Sequence, residues 1–296
     1  MLLMAAFGVG AAQPDYLSHE RPVGKSVLET EGSFGEMVTE EGAVPDRKRH
    51  IKRLYNFLWR DAALTLKPRT YYFDRQRDGE ADSQAWAAGG ALKYRSGWLR
   101  DRLTLGATVY TSQRLYGPDD KDGTLLLEQG QNGFTVLGES HLMARVTDRA
   151  MLRLYRQDIN LPYLNRQDNR MVPNTFEAYL LFDVDDPRFN FVGGHVRQMK
   201  RRNETDFISM SAAAGATDSD RGVSTLGARY RFTDSNDIGA ILYHGWDVMN
   251  IFYTEGNLSW SIGEDLAVQL SGQYTDQRSI GDERIGIFET LSLIHI

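Results

Sequence analysis

Basic side chains recur at alternate positions through the middle of the chain. Lys93 and Arg95 close one segment, Arg102 opens the next, and Arg145, Arg149, Arg153, Arg197, Arg229 and Arg231 repeat the pattern further on. Few acids share their side, chiefly Glu139 and Glu177. Cationic groups spaced along a wetted wall attract anions without reacting with them. A carboxylate about 5 Å from one arginine gains about 0.8 kcal/mol in bulk-like water, so three such contacts enrich an anion tens-fold before screening. The plainer alternative is that these arginines pair with loop acids and stiffen the wall.

A second set lies in QDINLPYLNRQDNRMVPN (157–174). Arg166, Asp168, Asn169 and Arg170, with Asn165 and Gln167, form a dense polar run between Pro162 and Pro173. Hydrogen-bonding groups of both signs on a stiffened loop suit a constriction folded into a pore. Leu161, Leu164, Met171 and Val172 favour a packed loop over one that is merely solvent-exposed. Catalysis finds less support. Cysteine is absent, which removes thiolate nucleophiles, thiolate zinc sites and disulfides together. His19, His50, His141, His195 and His244 lie in no nucleophile motif, and no phosphate-binding glycine loop or metal-spaced cluster is present. The sequence therefore points to no enzyme, no cofactor and no metal.

The frame such residues need puts alternate side chains on opposite faces. From residue 64 the period is two, in segments of eight to thirteen residues separated by Asp-, Gly-, Asn- and Ser-rich turns. In QAWAAGGALKYR (84–95), Trp86, Ala88, Leu92 and Tyr94 oppose Lys93 and Arg95. In FTVLGESHLMARV (134–146), Phe134, Val136, Leu142, Ala144 and Val146 are set against Thr135, Glu139, His141 and Arg145. In STLGARYRF (224–232), Leu226, Ala228, Tyr230 and Phe232 oppose Arg229 and Arg231. The segments 64–73, 102–110, 149–156, 175–182, 237–246, 250–260 and 266–274 continue the series. RFNFVGGHVRQM (188–199) slips phase at its glycines, which reads as a bulge, and a last strand starts near Ile285. Gly89-Gly90 within a strand signals close backbone packing.

About a dozen strands result, with short turns at 147–148, 183–187, 233–236 and 261–264 and long loops at 112–132, 157–174 and 200–222. Short turns at one end and long loops at the other, with aromatics near strand ends, are the pattern of an all-β, transmembrane antiparallel β-barrel. A soluble sandwich also alternates, but its charged face usually mixes lysine with glutamate, whereas here the polar faces carry arginine. The mean hydropathy of −0.44 is compatible. Past residue 12 no apolar run approaches the roughly 20 residues of a spanning helix. The net charge of −6 argues against a nucleic-acid partner.

LLMAAFGVGAA (2–12) reads as a signal peptide lacking its basic start, with a frayed helix as the alternative. Residues 13–63 form an N-terminal periplasmic segment, acidic over 13–44. Its end, 45–63, has Ile51, Leu54, Tyr55 and Leu58 at helical spacing, which predicts a short helix, packed at a domain edge or lying on a membrane surface. The last six residues, LSLIHI (291–296), correspond to CTG TCT CTT ATA CAC ATC, which resembles a transposon end used in sequencing-library preparation. The expected domain plan is thus a partial barrel over 64–290 followed by adapter translation, with an ordinary apolar strand as the alternative.

LTLKPRTYYFDRQRD (64–78) followed by SQAWAAGGALKYRSGW (83–98) resembles the first hairpin of the OprD-type outer-membrane porins, and INLPYLNRQDNRMVPNTFEAY (159–179) resembles their constriction-loop region. Arg166, Asp168 and Arg170 match the loop pattern. The resemblance covers roughly residues 60–290. It implies a barrel of about eighteen strands, of which about 12 are present, each chain its own pore, standing alone or in a homotrimer. It implies a Gram-negative outer membrane, contact with outer-membrane lipids and insertion by the barrel-assembly machinery. The function it implies is passive, selective diffusion of small hydrophilic solutes, anionic or zwitterionic, such as carboxylates or amino acids, along an arginine- and lysine-lined lumen. A non-conducting structural or adhesive barrel is the alternative. The final third of such a barrel and its terminal aromatic residue have no counterpart here, nor does the acidic 13–44 segment have one in the family.

Overall fold

The exposed surface of the strands is aliphatic and aromatic, and their opposite face is polar. Leu226 and Leu66, exposed at 69% and 71%, are matched by Trp86, Leu92, Tyr230, Phe232, Ile238, Leu242, Leu258 and Trp260 on the same outer face. Thr104, Thr108, Ser112, Thr225, Asp237 and Glu255 are buried on the other. This inversion is untenable for a sandwich in water and is what a bilayer-facing sheet requires. It resolves the choice between barrel and sandwich that alternation alone leaves open.

This computed structural model describes residues 46–295 apart from 77, 80, 184, 185 and 263–265, and excludes the side chains of 46–49 and 291–295. The signal-peptide reading and the acidic 13–44 segment lie outside the described residues. The strands are β1 Ala63–Arg75, β2 Ser83–Arg95, β3 Leu103–Tyr116, β4 Phe134–Thr147, β5 Ala150–Gln157, β6 Thr175–Asp183 and β7 Phe189–Lys200. They continue as β8 Phe207–Ser209, β9 Val223–Thr233, β10 Asn236–Gly245, β11 Met249–Ile262, β12 Leu266–Ser279 and β13 Glu289–His295. Each pairs antiparallel with its neighbour in a single 13-stranded sheet, except that the short β8 pairs only with β7, and β7 pairs onward with β9. β1 and β13 are its two edges, so the sheet is not closed. Among the described residues no helix is long and apolar enough to cross a membrane.

The observed phases follow the sequence in β2 and β9 and depart from it in β4 and β6. In β6 the alternation read over 175–182 sets Phe176, Ala178, Leu180 and Phe182 on the apolar outer face, yet all four are buried and Tyr179 and Leu181 are the exposed residues. Along β4, Thr108 pairs with Glu139 but Val109 pairs with Leu137, so Gly138 is an extra residue in a bulge. The bulge reverses the parity, and Phe134 and Val136 face inward on the same side as Glu139, His141 and Met143. They are tolerated there because the inner face at this end is dry: Leu126, Leu127, Met171 and Val172 from two loops pack on Ala85, Ala87, Tyr110 and Phe134. In β7 the register runs unbroken through Gly193 and Gly194, and the shift lies at Arg197, opposite the Glu177–Ala178 step. The last strand begins at Glu289, not near Ile285.

Short turns separate β4 from β5 and β9 from β10, while 117–133, 158–174 and 201–222 are long. At the long-loop end the β10–β11 connection, 246–248, is an exception of three residues. The helix expected near residue 51 is α1, Asp46–Tyr55, continued by a π-helical turn, Asn56–Arg60. A second, unforeseen helix, α2 Met210–Ala214, follows β8 and is capped by the Ser209 side chain, which accepts from the Ala212 amide.

Candidate functional site

The loop 158–174 leaves β5 and returns into β6, yet its contacts reach both distant flanks of the sheet. Its apolar residues Ile159, Leu161, Leu164, Met171 and Val172 are all buried, which holds it as a packed body. Leu161 donates its amide to the Leu164 carbonyl at 2.8 Å, closing a tight turn around Pro162. From that turn Tyr163 projects toward the far strands. Its ring meets Tyr243 of β10 and Tyr253 of β11 edge-on, with centroids at 5.7 and 6.1 Å. Its hydroxyl donates to Thr275 Oγ1 of β12 at 3.2 Å and accepts from Gln277 Nε2 at 3.1 Å.

The other limb reaches β1. Arg69 donates to both oxygens of Asp168, Nη1 at 2.5 Å and Nη2 at 3.2 Å, and Nη1 also donates to the Arg170 carbonyl at 2.5 Å. Arg170 lies over the Phe73 ring at 4.8 Å and donates to the Thr124 carbonyl of the 117–133 loop. The loop therefore spans the concave face from β1 to β12.

Charges alternate along it. Arg153 on β5 stands 3.6 Å from Asp158, Asp158 is 3.2 Å from Arg166, Arg166 is 3.4 Å from Asp168, and Asp168 joins Arg69. Burial works to raise the Asp158 carboxyl, but Arg153, Lys93 and Arg166 outweigh it and hold the pKa below the ordinary aspartate value. Asn169 Oδ1 accepts from Arg202 at 2.5 Å, and Gln167 accepts from the same guanidinium. Among the described residues no group of side chains has the composition of a metal site.

A sequence profile for the outer membrane porin, OprD family, matches residues 56–294. The chain belongs to the OprD family of outer-membrane porins. It is an outer-membrane protein of a Gram-negative bacterium. It is similar to the porin-like protein GalP of Pseudomonas putida, 26% identical over 192 residues, which are 62% of this chain and 47% of that protein. The crystal structure of Pseudomonas aeruginosa OccK9 (OpdG) superposes with a TM-score of 0.69 at 27% identity, covering 80% of this chain and 64% of that one. A BenF-like porin from Pseudomonas fluorescens gives 0.67 at 20% identity, covering 80% of this chain and 63% of that one. The chain thus spans under half of GalP and less than two thirds of these solved porins.

Within the porin wall, the basic residues singled out from the sequence fall into three groups. Lys93, Arg153, Arg229 and Arg231 lie on the concave face. Lys93 makes no hydrogen bond or ion pair among the described residues, and Arg231 donates to Asn190 Oδ1 at 2.5 Å. Arg229 is enclosed by acids, with Asp237 at 2.6 Å and Glu255 also in contact, its side chain only 15% exposed. Arg95, Arg102, Arg145 and Arg149 gather at the short-turn rim. Arg149 stands in the turn before β5, not in the strand, and pairs with Asp186 at 3.7 Å. Arg197 sits at the β7 bulge and pairs with Glu177 at 3.2 Å, which Arg156 approaches from the other side.

The concave face holds more acid than the sequence reading allowed. Asp158, Asp168, Asp237 and Glu255 join Glu139 and Glu177. Arg69 and Lys67, on the concave parity of β1, were missed although Leu64 and Leu66 set the phase that turns them inward. Lys200 was missed as well: it is fully buried at the end of β7 and donates to the Pro173 carbonyl at 3.2 Å, holding the loop's return limb.

Proposed function

We propose that the protein is a channel for passive, selective diffusion of small hydrophilic solutes across the outer membrane, with 158–174 as its narrowest part. The observation that carries this reading is the loop's span from Arg69 on β1 to Thr275 on β12, with Arg166, Asp168, Asn169 and Arg170 between. A packed, charge-lined loop across a barrel's concave face narrows the path without sealing it, and its charges act on a solute where water is thin. Lys93 and Arg231 on the concave face, and Arg95 at the rim, supply positive charge along the same path. Small carboxylates and zwitterionic amino acids are the solutes this lining suits, because a carboxylate gains from each cation it passes. The acids of the concave face mostly neutralise Arg153, Arg166 and Arg229, so selectivity falls to the cations that no carboxylate contacts directly, Arg231 and Lys93, although Lys93 also feels the Asp158 carboxylate.

The test is reversal potential in a planar bilayer with the full-length protein under a potassium chloride gradient. A shift toward the chloride potential, reduced in a Lys93→Gln variant, is the expected result. Cation preference, or a preference untouched by that variant, would contradict the lining. Absence of conductance from folded, heat-modifiable protein would favour a closed structural barrel.

A further inference from the structure

The segment before β1 is bound to the lipid-facing side of the sheet. Tyr94 lies on the outer face of β2, in phase with Leu92 and Trp86, and its hydroxyl donates to the Leu58 carbonyl at 2.6 Å. The Gly97 amide donates to the Phe57 carbonyl at 2.8 Å, and Phe57 is buried. The π-helical turn is thereby fixed at the short-turn end, which in an outer-membrane barrel is the periplasmic end. What it carries is apolar and uncovered: Ile51, Leu54, Tyr55 and Trp59 are 61%, 52%, 60% and 70% exposed.

Beside that apolar strip runs a cleft of about 580 Å³, walled by Arg53, Arg100, Arg102 and Arg145, with Leu54 and Leu103 among its apolar lining. Among the described residues none of these four arginines has a carboxylate in ion-pair contact. Arg145 is steadied by stacking over Trp98 at 4.9 Å. Four arginine side chains line a headgroup-sized cleft whose wall also includes Leu54, Leu99 and Leu103, next to an apolar strip on the membrane side. This mixture matches one ligand chemistry, a phosphate diester with acyl chains attached.

We propose that this cleft binds an anionic phospholipid of the periplasmic leaflet, the arginines holding its phosphate while Ile51, Leu54, Tyr55 and Trp59 enter the acyl boundary. The helix is then an interfacial anchor that sets the depth of the barrel in the membrane. This gives the basic residues clustered at that rim a ligand of opposite charge.

The full-length protein in detergent, titrated with phosphatidylglycerol or phosphatidylcholine and read by native mass spectrometry, tests it. Phosphatidylglycerol should be retained about tenfold more tightly, and the Arg53→Gln/Arg100→Gln/Arg102→Gln variant should bring the two lipids within about twofold. Equal retention by the wild type, or a preference that survives in the variant, overturns the proposal. Displacement by millimolar inorganic phosphate would mark a simple anion site and overturn it too. So would a preference that emerges only when the acids of 13–44 are replaced by serine, since the cleft would then belong to that segment. Should the triple variant not yield heat-modifiable protein, salt decides: the wild-type preference must collapse between about 50 and 500 mM, and one indifferent to salt is not electrostatic.

Discussion

Asp168→Asn and Arg69→Gln break the same bond and move the charge of the constriction in opposite directions. The bond is bidentate at 2.5 and 3.2 Å, with the two side chains 37% and 23% exposed. A charge-assisted hydrogen bond contributes about 1.5–3 kcal/mol, and partial exposure trims this to about 1–2 kcal/mol of anchoring. Either variant therefore raises the population of loop released from β1 by roughly five- to thirtyfold, and open-channel current noise should increase in both. Selectivity should split them. One unit charge about 5 Å from the path changes an anion's energy by about 0.8 kcal/mol in water, a factor of about four. A cation's energy moves by the opposite amount, so in single-channel recordings the chloride-to-potassium permeability ratio should rise about fifteenfold in Asp168→Asn and fall by about that factor in Arg69→Gln. If both ratios move the same way, the effect is mechanical and the charges do not act on the solute. If neither noise nor ratio changes, the loop does not border the path.

Three further outcomes follow from the wall. Arg229→Gln leaves Asp237 and Glu255 buried without their cation, which should cost about 3–5 kcal/mol and lower the temperature of heat modification on gels; adding Asp237→Asn and Glu255→Gln should restore most of it. Gly90 has φ +129°, and a Cβ there would lie 2.1 Å from the Lys67 carbonyl; Gly90→Ala should destabilise the β1–β2 pairing by about 1–3 kcal/mol, seen as a lower urea midpoint. Asp158 has its pKa depressed when folded. Its contribution is thus complete above the unfolded value and lost as pH falls through the folded one. Channel noise should be flat from pH 7 to about 4 and rise below that, and Asp158→Asn should be noisy throughout.

The strands were legible wherever lipid faces one side and water or polar side chains the other. Leu226, Ala228, Tyr230 and Phe232 alternate with Arg229 and Arg231 without interruption, and β9 forms as read. The reading fails where the inner face is dry. Phe134 and Val136 look lipid-facing by composition, but Leu126, Leu127, Met171 and Val172 make an apolar core inside the barrel, and apolar then ceases to mean outward. The bulge at Gly138 that permits this costs one residue and leaves no mark in period two beyond the glycine itself. The loop 158–174 was legible as a packed polar loop from its prolines and buried apolar residues. Its anchors were not, because Arg69 and Asp168 meet across 99 residues of sequence. Asp237 and Glu255 offered a usable signal: both are acids in strands whose alternate residues, Ile238 and Leu258, are apolar, so period two assigns them inward.

The loop's position across the path is the claim on which the functional reading depends. These 296 residues contain no cysteine, so Asn169→Cys introduces a single thiol among them, beside Arg202 in the middle of the span. The deciding measurement is single-channel current through the full-length variant during addition of a negatively charged methanethiosulfonate reagent, with labelling verified by mass. The expected result is a stepwise, irreversible fall in current as each pore is modified. Complete labelling with unchanged current would place the loop away from the path and contradict the channel constriction.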